Sequence, residues 1–342
     1  MNIIVTILIA LVCFGVIIFV HELGHFLVAK AFKFKVNQFA IGMGPSIFSF
    51  GKGETKYSLK ALPIGGFVAM EGEDEESSDD RAFSKKPAYQ RLLVCLAGSV
   101  MNLILGFIIL VVLTTAYSNL VPTKVIATFS EGSALAEKLQ VGDEIISVNN
   151  LKIYSMNDVV YEFSRDSDKV VDMVVKRNGE KLEITSIPIT TVTDETGKEK
   201  ISLDFKIFGE KKTVLSVLKE SVTQTVSNAR LVFLSLVDLI RGHYSINELS
   251  GPIGVTTVIS EAASYGFDSL LNVVAFITIN VGVFNLLPLP ALDGGKIFIL
   301  IGEMITRKRL NQKAETIINL VGLAFLMLLM VFATYNDILK LF

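Results

Sequence analysis

The chain has 342 residues, 51% of them hydrophobic, and a mean hydropathy of +0.54, too apolar for an ordinary soluble enzyme and pointing to membrane spans. A formal net charge of −2 gives no reason to expect nucleic acid or another polyanion as partner. No GxxxxGK[ST] phosphate loop occurs, so no nucleotide is expected either.

Ile3 to Ala29 carries no Lys, Arg or Asp and exceeds the roughly 20 residues a spanning helix needs. It has neither a basic leader nor a clear small-residue cleavage site, so it reads as a retained span rather than a cleaved signal peptide. Cys13 in this run and Cys95 in the next apolar run read as small buried thiols, not as a disulfide. Near the end of the first span stands HELGH, residues 21–25. On a helix His21 and His25 project from one face within a single turn and can grip one ion. Glu22 stands beside them in the HExxH arrangement, where the glutamate is not a ligand but accepts a proton from water at the metal. A polar helix end is the plainer account of such residues. Ionisable groups at membrane depth are costly, however, and two of the chain's three histidines are here.

Lys30, Lys33 and Lys35 follow this span, and Lys85, Lys86 and Arg91 precede an uncharged second run, Leu92 to Thr123. Between them, residues 36–72 are rich in Gly and in alternating stretches such as KYSLKAL, which predicts one or two β-hairpins. An exposed strand edge there could hold a peptide in extended form. The acidic run EGEDEESSDD, 71–80, reads as a solvated linker. Basic residues at 30–35, 85–91 and 307–313 place residues 31–91 and 304–315 in the cytosol, and the N-terminus and residues 118–268 outside.

The outer segment reads as a small β-rich domain with strands at 124–129, 143–149, 169–177 and 181–189 and a hairpin turn at 177–180. Short helices are expected at 133–139 and 156–164. Residues 213–242 space Leu218, Val222, Val226, Leu231 and Leu234 as on one or two amphipathic helices, lying on the outer leaflet or against the helical bundle.

The third uncharged run is Ser269 to Leu292 and the fourth Thr316 to Asn336. A catalytic zinc usually takes three protein ligands and a water, so the histidine pair needs one more. His243 falls in the outer segment and reads as a surface residue, and Glu303 reads as pairing with the Arg307 to Arg309 cluster. Asp293, in NLLPLPALDGG, directly follows the third run, where Pro288 and Pro290 break the helix and let the backbone bend inward. Eighteen residues at 1.5 Å place His21 about 27 Å into a core of about 30 Å, near its cytosolic side. Asp293 ends an inward-running span at a similar level.

HELGH and NLLPLPALDGG together resemble the site-2 protease family of intramembrane zinc metalloproteases, and within it the bacterial regulator-of-sigma-E protease group. The resemblance runs through LPIGGFVAMEGE at 62–73, FSKKPAYQRLLVCLAGSVMN at 83–102 and LSGPIGV at 249–255. It implies Zn²⁺ held by His21, His25 and Asp293, Glu22 as base, and Asn280 and Asn285 as substrate-binding residues; interhelical hydrogen bonding is the plainer role for the two asparagines. From SEGSALAEKLQVGDEIISVNN it also implies one PDZ domain between the second and third spans. There Glu137, Lys138 and Leu139 stand in place of the usual Ala-Gly-Leu, and Asn149-Asn150 in place of Asn-Gly, so a steric filter against bulky ectodomains is favoured over a peptide-binding groove. Lys296 follows LDGG where the family often has His or Arg.

The expected architecture is thus a polytopic α-helical membrane protein of about four transmembrane helices, with a cytosolic membrane-associated β-hairpin loop and an inserted extracytoplasmic PDZ domain. Its divisions are a first helix with HExxH (1–30), the cytosolic loop (31–91) and a second helix (92–118). The PDZ domain (122–192) and an outer linker with amphipathic helices (193–267) come next. A third helix with LDGG (268–303), a cytosolic loop (304–315) and a fourth helix (316–336) complete the chain. The expected activity is intramembrane proteolysis of single-span proteins or peptides, such as anti-sigma factors or remnant signal peptides, in a bacterial cytoplasmic membrane. A membrane-anchored PDZ scaffold would leave the paired histidines unexplained. A zinc transporter would call for a polar path across several helices.

Overall fold

A computed structural model describes residues 3–73, 77–117, 119–166, 168–193, 199–243 and 250–340. It divides into two compact units, residues 1–109 with 245–342, and residues 110–244.

The first unit opens with helix α1 (Ile3–Ala31), apolar on all sides as a helix surrounded by lipid or protein must be. Strands β1 (Val36–Phe50) and β2 (Lys56–Met70) follow, then helix α2 (Ala88–Ala116). After the second unit come α5 (Pro252–Tyr265), α6 (Phe267–Asn285), α7 (Asp293–Thr306) and α8 (Gln312–Leu339). Four helices, α1, α2, α6 and α8, are long and apolar enough to cross a membrane. The protein is a polytopic membrane protein.

Two apolar runs end as helices earlier than they end as runs. α2 stops at Ala116, and Val121 already begins a strand. α6 stops at Asn285, because Pro288 and Pro290 cannot continue the ladder. α5, a separate helix before the third span, falls in the stretch 193–267 expected to hold a linker and amphipathic helices, beyond the helical pattern read at 213–242. Its first turn is capped from α8: Asp337, almost fully buried, accepts the amides of Gly251 at 3.0 Å and Gly254 at 2.8 Å. That contact accounts for the SGPIG stretch, since a Cβ on Gly251 or Gly254 would stand 2.8 or 2.9 Å from that carboxylate.

β1 and β2 form one hairpin folded upon itself. Phe39 pairs with both Val68 and Tyr57, Ala40 with Phe67 and Ser58, and Ile41 with Gly66 and Leu59. The first half of β1 is therefore flanked on both sides, and its bends fall at Gly42, Gly44 and Gly65, all at positive φ. Ala29, Phe34, Val36, Phe39, Val68 and Phe83 bury one another where α1, the hairpin and the start of α2 meet. Full burial of each such large side chain contributes about 1.5–3 kcal/mol. The acidic run is not a free linker. Glu71 and Asp79 both pair with Lys35, and Glu73 pairs with Lys296 at 2.6 Å; residues 74–76 lie outside the described residues. Opposite charges brought from the turn between α1 and β1 and from α7 turn its two ends into tethers.

In the second unit an antiparallel sheet has the order β10-β3-β4-β6-β7. Its strands are β3 (Val121–Phe129), β4 (Glu144–Val148), β6 (Val170–Arg177), β7 (Glu180–Pro188) and β10 (Phe205–Glu210). β5 (Leu151–Lys152) pairs with β4, and β8 (Thr191–Thr193) with β9 (Glu199–Ile201). The β6–β7 turn is Asn178-Gly179, with φ of 51° and 92°, the pair of positive values a tight hairpin requires. Helix α3 (Met156–Arg165) closes over a core that includes Ile126, Leu135, Ile145, Val159, Phe163 and Met173. The sheet extends beyond residue 192, because β10 pairs with β3; alternation in this strand is interrupted by Gly209, which weakens its signal. Residues 214–241 form the single helix α4 (Val214–Arg241), begun by a Thr213–Ser216 capping box and ended by Gly242 at φ 78°.

Candidate active site

The HELGH residues lie within α1, so the 3.6-residue period alone sets His21 and His25 on one face. Their Nε2 atoms are 3.2 Å apart. Asp293, the first residue of α7, brings Oδ2 to 3.1 Å from His21 Nε2 and 3.2 Å from His25 Nε2. Among the described residues this is the one group of three or more His, Cys, Asp or Glu side chains able to share an ion.

The donor set fits a divalent metal. Ligands at about 2.0–2.1 Å in a tetrahedron stand about 3.3 Å from one another, close to the separations here. Apart from the two ring nitrogens, Asp293 Oδ2 is buried with no hydrogen-bond partner, and with both Nε2 lone pairs turned towards it the carboxylate is satisfied by a shared cation. The third donor atom arrives because the backbone turns back after α6. A Cβ on Gly294 would stand 1.9 Å from the Leu287 carbonyl, and one on Gly295 2.6 Å from that of Leu289. Only glycines let the 286–292 segment fold over the start of α7 and aim Asp293 at the histidines.

Helix α2 forms the back wall. Gly24 lets α1 approach it so closely that a Cβ would stand 2.4 Å from the Ala97 carbonyl. His25 Nδ1 lies 2.7 Å from the Val94 carbonyl oxygen, which can only accept, so the ring carries its proton there and turns the Nε2 lone pair to the triad. His21 Nδ1 lies 3.3 Å from the side-chain amide of Asn102. Val94, Gly98 and Asn102 form one row along α2, four residues apart. These α2 contacts were not among the site residues expected from sequence. Their one legible trace is an asparagine set a turn after a glycine in an otherwise apolar span.

Glu22 lies within the same helical turn as the histidines and faces the folded hairpin: a Cβ on Gly66 would stand 2.8 Å from Glu22 Cγ. The second half of β2 thus runs directly past the carboxylate. Asn280 lies on α6 with Oδ1 buried and unpartnered, and Asn285 ends that helix. Glu303 pairs with Arg91 and Arg309, and exposed His243 follows α4 in the other unit.

The arrangement can hold a metal between two imidazoles and a carboxylate, with a second carboxylate at hand as a base. The model of peptidase family M50 matches residues 9–329. A Clostridium acetobutylicum protein assigned as a zinc metalloprotease is 37% identical over 97% of each chain. The regulator of sigma-W protease RasP of Bacillus subtilis is 31% identical over 98% of this chain and 99% of its own. The zinc metalloprotease RasP of Bacillus licheniformis is 30% identical over the same shares.

Proposed function

The chain belongs to peptidase family M50, and from that premise we propose that it is a zinc metalloendopeptidase cutting the membrane-spanning segments of single-span substrates. The observation that carries this reading is the convergence of His21, His25 and Asp293 from two helices onto one point, within 3.2 Å of one another, beside Glu22.

His21, His25 and Asp293 hold the ion. Zinc, when bound, supplies a Lewis acid and lowers the pKa of coordinated water to about 7. Glu22 accepts the proton of the attacking water and returns it to the leaving amine. Asn280, with its free Oδ1, and Asn285 orient the substrate backbone. Helical carbonyls in a substrate are already hydrogen-bonded, so the segment must unwind; the edge of β2 beside Glu22 offers main-chain partners to the extended form.

The positive-inside pattern supports an active site near the cytosolic side of a bacterial cytoplasmic membrane, with the N-terminus and the second unit outside. The sheet and α3 of that unit suit a PDZ domain acting as a size filter. The name of the Bacillus subtilis relative favours anti-sigma factors as the substrate class, with remnant signal peptides as the second candidate. The test uses pure protein and a single-span substrate in detergent. Wild type cuts it, a chelator stops cutting and zinc restores it, while Glu22→Gln stays folded and zinc-loaded yet inactive. Unchanged turnover by Glu22→Gln would remove the proposed base.

A further inference from the structure

The two imidazoles meet α2 in chemically different ways. Against His25 Nδ1 stands a carbonyl oxygen at 2.7 Å. Against His21 Nδ1 stands a nitrogen, Asn102 Nδ2, at 3.3 Å. If His21 turns an Nε2 lone pair towards Asp293 and His25, its ring proton is on Nδ1, and two donors then face each other. Oδ1 of the same amide is buried without a partner, and Asn102 has no exposed surface at all. An unpaired buried acceptor is destabilising.

The oxygen and nitrogen of a carboxamide are told apart only by their surroundings. Rotating this amide by half a turn replaces the donor–donor contact with an N–H···O bond and gives Oδ1 its partner. The NH2 then stands where Oδ1 stood, so the gain rests on the bond to His21. The residue itself is held in place from the other side: Thr278 Oγ1 donates to the Asn102 main-chain carbonyl at 3.3 Å, and a Cβ on Gly106, one turn further, would meet Ile279 at 2.5 Å.

We propose that Asn102 is a positioning residue whose Oδ1 accepts from His21 Nδ1–H, holding the ring in the tautomer and orientation that aim Nε2 at the metal. Val94 and Asn102, two turns apart on α2, then serve His25 and His21 alike, one through a main-chain and one through a side-chain oxygen. The inference rests on His21 being a ligand, as proposed above.

Zinc affinity of the full chain, read by chelator competition, tests it without reference to activity. Asn102→Leu, close in volume but without an acceptor, is expected to bind zinc about 10–100-fold more weakly. Asn102→Asp, which keeps an acceptor oxygen, is expected to stay near wild type. Equal affinity of the leucine variant and wild type, or equal loss in both variants, would overturn the proposal. Wild type that binds no zinc would instead remove the functional reading beneath it. Should the leucine variant not fold, ¹⁵N–¹H spectra of zinc-loaded wild type decide, since the chain has three histidines. His21 is expected to carry a slowly exchanging Nδ1 proton. A proton on Nε2, or Nδ1 exchange as fast as in exposed His243, would overturn it.

Discussion

Gly98 of α2 lies so close to His25 that a Cβ at that position would stand 2.3 Å from the Nε2 of the histidine, and 2.8 Å from Cε1 and Nε2 of His21. A methyl group there would occupy the space where the three donor atoms converge. Gly98→Ala is therefore expected to lower zinc affinity at least tenfold and to abolish cleavage. Alanine favours a helix over glycine by about 1 kcal/mol, so α2 should form as well as before. Zinc content and thermal unfolding of the metal-free variant separate these effects; full zinc loading of Gly98→Ala would contradict the geometry.

Gly66 offers the complementary case. An added Cβ would meet Glu22 Cγ at 2.8 Å, the Ala40 carbonyl at 3.0 Å and Ile18 at 3.2 Å, but none of the three donor atoms. Gly66→Ala should keep its zinc and lose turnover, because the strand and the carboxylate cannot both hold their places. A 1 Å displacement of a catalytic group can cost about 100-fold in rate. Zinc stoichiometry measured beside kcat distinguishes this outcome from that at Gly98.

At the far end of the bundle, Asp337→Ala removes the acceptor for two amides of α5. Loss of such a cap costs about 0.5–2 kcal/mol, here at the upper end because the amides are left in a buried site. A lowered unfolding midpoint in detergent with unchanged zinc affinity is the expected result. Loss of zinc would show that α5 bears on the site after all.

Glu162, on α3 of the second unit, is 2% exposed, and its pKa is pushed up to about 7. Burial is the main cause; Arg165 opposes it, while Asp238 and Asp166 reinforce it. Between about 4.5, the ordinary value, and 7 the folded unit keeps a proton that the unfolded chain has lost. Stability of this unit should therefore fall as pH rises through that window and level off above it. Amide exchange of α3, corrected for intrinsic rates, should show the slope in wild type and a flatter profile in Glu162→Gln. An equal slope in both would assign the effect elsewhere.

Much of the site could be read from local periodicity. HELGH needs only a helix to bring two rings together, and Pro288 and Pro290 announce the bend before Asp293. The outer strands were equally visible from alternation and the Asn-Gly turn. Distant ion pairs and strand partners were not. Glu73 and Lys296 look like an acidic linker and a stray base until the fold pairs them. β10 shows no partner until β3 is laid beside it.

The order of apolar runs, the spacing of the histidines and the placement of charge were decided by the sequence itself, because each follows from the pitch of one helix or the thickness of a bilayer. Only the tertiary structure decided what stands behind the imidazoles. Nothing in the pitch of α2 says which of its faces meets α1. That is set by close packing of α2 against α1 at Gly24 and Gly98, where missing side chains let the helices approach and leave Val94 and Asn102 as the polar groups of α2 that meet the rings.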